Sequence, residues 1–132
     1  QSSDALMWSS YYLTIRQTQQ EFNQVVADVH SELGKLEEQL STNAFFNADH
    51  FSLVDASYAP VFFRFNMMLK LKADLIDWSK FPKVFAWSNT LLADQDVLAS
   101  ISKDIEEKFV ASVRARQGYL ANYLPIETAD FV

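Results

Sequence analysis

Few side chains in this sequence could do chemistry, and their spacing narrows what kind. Ser52 and Asp55 stand three residues apart. A serine near a carboxylate can belong to a nucleophilic set, but no Ser-His-Asp arrangement can be assembled from the spacing here. S-x-x-D ahead of an apolar run is instead the pattern of a helix capping box. The serine Oγ accepts from the Asp55 N–H, the carboxylate accepts from the Ser52 N–H, and Phe51 with Ala56 sits where a hydrophobic staple would. Phe51, Ser52, Asp55 and Ala56 are therefore assigned a structural role, and no residue a catalytic one. His30 and His50 lack E-x-x-H, H-E-x-x-H or His-x-His spacing, so no metal site is assigned. Both read as surface or loop residues. Asp94 and Asp96 read as caps, Glu37-Glu38 and Glu106-Glu107 as solvated helix faces, and Met67-Met68 as core filler. There is no cysteine, hence no disulfide and no thiolate nucleophile or ligand. Both glycines stand alone, so there is no phosphate cradle.

The elements that position these residues follow from composition and period. The 132 residues amount to about one domain. Two glycines and three prolines are about 4% of the chain, against roughly 12% on average. That scarcity argues against sandwiches, barrels and Rossmann loops and for helices. Apolar residues make up 49% and aromatic ones 14%, which excludes disorder. Seventeen acids exceed eleven scattered bases, for a net charge of −6, so nucleic acid is not an expected partner. An anionic membrane surface is not expected either, and the longest strongly apolar run, 56–63, is too short to span a bilayer. The absence of cysteine fits a reducing compartment, and the expected location is cytoplasmic.

The whole chain, 1–132, reads as a single all-α domain, an orthogonal bundle of five to six helices with one buried central helix. Helices are expected near 4–16, 18–41, 52–71, 82–93, 95–102 and 103–117, with an extended tail over 118–132. Ser3-Asp4 reads as the first N-cap. Trp8, Tyr11 and Tyr12 lie too close in sequence to share one stripe with the other apolar residues of that helix, so one of them faces a partner, a ligand or water. Phe22, Val26, Val29, Leu33, Leu36 and Leu40 recur every three to four residues and form the seam of the second helix. The third helix is apolar all round in its first three turns, which places it in the middle of the bundle. Pro60 inside it implies a bend. Pro82 suits the first turn of the fourth helix. Ile105, Phe109, Val110 and Val113 form the stripe of the last helix, and Gly118 is its expected C′ residue.

Three stretches together resemble the C-terminal helical domain of cytosolic glutathione transferases. Phe45-Phe46-Asn47-Ala48-Asp49-His50-Phe51-Ser52-Leu53-Val54-Asp55-Ala56-Ser57-Tyr58-Ala59-Pro60 is similar to that family's F-x-G-x-x-F-S-x-A-D loop, capping box and central helix, with Ala48 and Val54 where the family usually has Gly and Ala. Phe81-Pro82-Lys83-Val84-Phe85-Ala86-Trp87 resembles its P-x-x-x-x-W helix start. Arg114-Ala115-Arg116-Gln117-Gly118-Tyr119-Leu120 looks like the tail of some bacterial members. The resemblance runs from about Asp4 to Leu120.

What the resemblance implies goes further than the residues. The family's thioredoxin-like N-terminal half binds glutathione and activates its thiol. That half has no counterpart in this sequence, which opens on Gln1 rather than Met and is expected to be a piece of something longer. Its partners would then be that N-terminal half, a small electrophilic substrate and, through both halves, a second copy. Glutathione would be the co-substrate of the parent, with no cofactor in this chain and no activity on its own. Trp8, Tyr11 and Tyr12, with Phe131, would form the apolar wall for the electrophile, although packing against the missing half explains the same residues. An alternative reading is a non-catalytic module of the same fold that docks other proteins.

Overall fold

The computed structural model describes residues 2–40 and 51–125, and within them the chain is all-α. Six α-helices follow in order: α1 Ser2–Ile15, α2 Gln19–Gln39, α3 Leu53–Leu71, α4 Pro82–Ala93, α5 Gln95–Ala99 and α6 Ile105–Arg116. Two short 3-10 helices, Trp78–Lys80 and Tyr119–Tyr123, precede α4 and follow α6. Among the described residues there is no strand, and no helix is long and apolar enough to cross a membrane.

The helices differ in what satisfies the free N–H groups at their starts. α1 begins at Ser2, so Ser3 and Asp4 lie inside it and do not cap it. α2 is capped by Thr18, whose Oγ1 accepts from the Glu21 N–H at 3.1 Å while Glu21 Oε1 accepts from the Thr18 N–H at 3.3 Å. This T-x-x-E box, absent from the reading above, holds the Glu21 carboxyl below the usual carboxylate range, chiefly through the Thr18 backbone bond. Asp94 caps the short α5, accepting from the N–H groups of Asp96 and Val97. α4 is capped from another helix. Pro82 supplies no N–H, Phe81 cannot cap, and the N–H groups of Lys83 and Val84 are satisfied from α2 by Glu37, at 3.1 and 2.9 Å. Glu37 is therefore not a solvated residue but an interhelix cap, whereas Glu38 is exposed.

The core gathers around α3, which packs on α1 and α4. Tyr58, Val61, Phe62, Phe65 and Met68 of α3 meet Leu6 and Leu13 of α1, Val84, Trp87 and Leu91 of α4, and Phe109 and Val113 of α6 in one buried cluster. The α2 seam differs by one residue from the expected set. Val25 is buried and Val26 only half-buried, because the helix is turned so that 22, 25, 29, 33, 36 and 40 face inward. α3 passes through Pro60 as one helix. The carbonyl that loses its donor there belongs to Ala56, which is exposed, so water can replace the missing bond.

Over its described residues, 117–125, the segment after α6 is not an extended arm. It turns at Gln117 and forms the 3-10 helix Tyr119–Tyr123, which packs on α1 and buries Leu120. Gln117, at φ 55°, takes the left-handed position expected for Gly118. Gly118 has ordinary extended backbone and is needed for a different reason: a Cβ there would lie 2.6 Å from the Thr14 carbonyl oxygen and 3.0 Å from that of Arg16. The same approach lets the Tyr119 N–H donate to the Arg16 carbonyl at 2.7 Å, joining the end of α1 to the end of α6.

Candidate functional site

Two regions hold the side chains able to recognise something. The first is the outer face of α1. Trp8 is 59% exposed and Tyr11 37% exposed, with Tyr12 half-buried beside them. Trp8 stacks on Tyr12 with ring centroids 6.2 Å apart and meets Tyr11 edge-on at the same distance. Their crowding within five residues puts Leu6 and Leu13 inward and leaves the three rings outside. Arg16 lies over the Tyr12 ring at 4.6 Å and Arg116 over the Tyr11 ring at 4.9 Å, so the rings carry cationic edges. Arg116 is held by a bond from its Nη1 to Thr14 Oγ1 at 2.7 Å. Phe131 lies outside the described residues, as do Phe45, Phe46 and His50.

The second region surrounds the start of α3. Asp55 is fully buried. Its Oδ2 accepts from the Ser52 N–H at 2.8 Å and from the Ser52 Oγ–H at 2.7 Å, and its Oδ1 accepts from the Trp87 indole N–H at 2.8 Å. The carboxylate thus ties the first turn of α3 to the middle of α4. A buried carboxylate committed to three donors on two helices suits a brace, not the activation of a nucleophile. Phe51 and Ala56, both exposed, share one wall of a cavity of about 620 Å3 between α3, α5 and α6. The α3 side of that cavity is the stripe Ala56, Pro60, Phe63 and Met67, and the opposite side includes Val97, Ile101 and Ile105. Arg64 is its one cationic lining residue among those described, and Asp96 stands on the α5 side. Burial is the main reason the Arg64 guanidinium is pushed below its ordinary value, with the charge of Arg116 adding to it.

His30 is not a free surface residue. Its Nδ1 donates to the Val26 carbonyl at 2.8 Å, its Nε2 accepts from the Asp77 N–H at 3.1 Å, and its ring packs on Phe81. The two bonds fix the neutral Nδ1–H tautomer and pin α2 to the turn before α4. Among the described residues no three of His, Asp and Glu come together as a metal site. Two of the roles that sequence patterns passed over, those of Glu37 and His30, depend on partners 46 and 47 residues away. No local spacing announces them.

A family model described as glutathione S-transferase, C-terminal domain, matches residues 19–90, more than half of the chain, and the chain belongs to that family. The matched segment runs from the start of α2 into α4 and includes Ser52, Asp55 and Trp87, with α1 and α6 outside it. No curated protein and no solved structure matches the chain.

Proposed function

We propose that this domain forms, in a glutathione transferase, the apolar wall against which an electrophilic co-substrate is held while a glutathione thiolate attacks it. The thiolate would be generated in a thioredoxin-like half of the parent protein, in the cytoplasm, and this domain would contribute no catalytic group. The observation that carries the reading is the exposure of Trp8 together with Tyr11 on a helix whose other face is fully packed. Large apolar side chains grouped on a surface mark a binding or interface region. Aromatic rings also suit an electron-poor substrate by stacking. Membership of the family supplies the rest of the argument.

The test is glutathione conjugation to a chloronitrobenzene by the protein encoded by the complete reading frame. Turnover is expected, and the 132-residue chain alone should show none. Trp8→Ala should raise KM for the electrophile about tenfold and leave KM for glutathione unchanged, since burying a ring against substrate is worth roughly 1.5–3 kcal/mol. No turnover with a panel of electrophiles, together with no retention on immobilised glutathione, would overturn the reading. It would favour a non-catalytic module that uses Trp8 to dock another protein.

A further inference from the structure

We propose that the cavity between α3, α5 and α6 binds a small apolar molecule bearing one anionic group, with Arg64 as the partner of the anion. The walls come first. Ala56, Pro60, Phe63 and Met67 recur at four, three and four residues, a helical stripe as apolar as the packed faces of α3, yet Ala56 and Pro60 are exposed and Phe63 half-buried where the stripe borders the cavity. Val97, Ile101 and Ile105 face it from the other side. About 620 Å3 is within the range of small-molecule sites, and such sites combine apolar walls with a few fixed polar groups.

Arg64 is that polar group. Its Nε donates to Ser10 Oγ at 3.0 Å, and its guanidinium carbon lies 5.7 Å from the Phe109 ring centre, so the side chain is held from two sides. Among the described residues no carboxylate lies within ion-pairing distance of it. Lys35, Lys70, Lys72 and Lys108, by contrast, each pair with an aspartate or glutamate. Other bases, among them Lys80 and Lys103, also lack an ion pair among the described residues, but those two are exposed, whereas Arg64 is half-buried on the cavity wall. The positive charge of Arg116 also acts on it, which makes an incoming anion more welcome. The planar guanidinium fits a carboxylate or sulfonate through two parallel N–H bonds. Asp96, exposed on the α5 side, directs the anionic end of a ligand toward Arg64 and away from α5. The aromatic rings of α1 do not line this cavity, so the proposal stands apart from the function proposed above.

The test compares two dyes of similar shape, anilinonaphthalene sulfonate and the uncharged phenylnaphthylamine, by fluorescence titration of the full chain. The sulfonate should bind at one site about tenfold more tightly or better. Arg64→Gln should bring the two affinities to within about threefold of each other, and Arg64→Lys should restore part of the difference. Ala56→Trp, at an exposed position on the wall, should weaken both dyes about tenfold or more by filling the space. Dodecanoate should displace the sulfonate where dodecanol does not. Circular dichroism checks each variant, and if Arg64→Gln does not fold, Ala56→Trp and the dodecanoate comparison decide. Equal affinity for the two dyes, an unchanged preference in Arg64→Gln, or indifference to Ala56→Trp would overturn the proposal.

Discussion

Asp55 puts a carboxylate where water does not reach, and the fold tolerates it because three donors converge there. A buried acceptor with its donors in place contributes little net stability, but removing it strands the donors. Asp55→Ala should therefore lower unfolding free energy by about 3 kcal/mol, more than the ~1 kcal/mol of an ordinary lost cap. Trp87→Phe keeps an aromatic ring beside Tyr58 and Phe62 but removes the indole N–H and part of the buried ring volume, so its cost should be about 2–3 kcal/mol. In the double variant the costs should not add, because Asp55→Ala has already broken the bond that Trp87→Phe removes. Urea midpoints of the four proteins measure the coupling, and additive costs would show that the indole bond carries no energy. The short-range part of this brace was legible, since Ser52 and Asp55 stand at capping spacing. Trp87 was not, because nothing in a sequence marks which indole will meet which acid 32 residues away.

At the scale of elements, α4 depends on α2 for its beginning. Pro82 lacks an N–H, and the carboxylate of Glu37 takes the next two, where it also meets the positive end of the helix dipole. Glu37→Ala should cost about 1–2 kcal/mol and Glu38→Ala almost nothing, read from thermal or urea unfolding. Equal effects of the two would place Glu37 back among solvated charges. Period and capping patterns revealed the helices themselves, because each amphipathic stripe recurs within its own segment. They missed what one helix does for another. They also made α3 apolar on every side without showing that one of its sides, the Ala56 to Met67 stripe, borders a cavity and not a neighbouring helix. Hydrophobicity records that a surface avoids water and does not say what covers it.

Across the described molecule, the first and last helices are joined by the close approach at Gly118 and by the Arg116 bond to Thr14. The pattern placed a helix end near Gly118 correctly but gave the glycine the wrong task, because a left-handed cap and a steric gap both call for glycine. Two substitutions separate these. Gly118→Ala should destabilise by about 2 kcal/mol or more, since its Cβ would press on the Thr14 backbone. Gln117→Gly should cost nothing and even gain up to about 1 kcal/mol, by relieving the positive φ. Opposite signs in thermal unfolding are the expected result, and a tolerated Gly118→Ala would mean that α1 and the Tyr119–Tyr123 turn can part without loss.

The three tryptophans occupy three grades of surroundings: Trp8 in water, Trp78 half-covered against Phe85, and Trp87 enclosed beside a carboxylate. Excited together they should emit at separate wavelengths, red for the outermost and blue for the innermost. With Trp8 and Trp78 changed to phenylalanine, the remaining indole becomes a built-in lamp at the junction of α3 and α4, reporting the opening of that joint without any attached label.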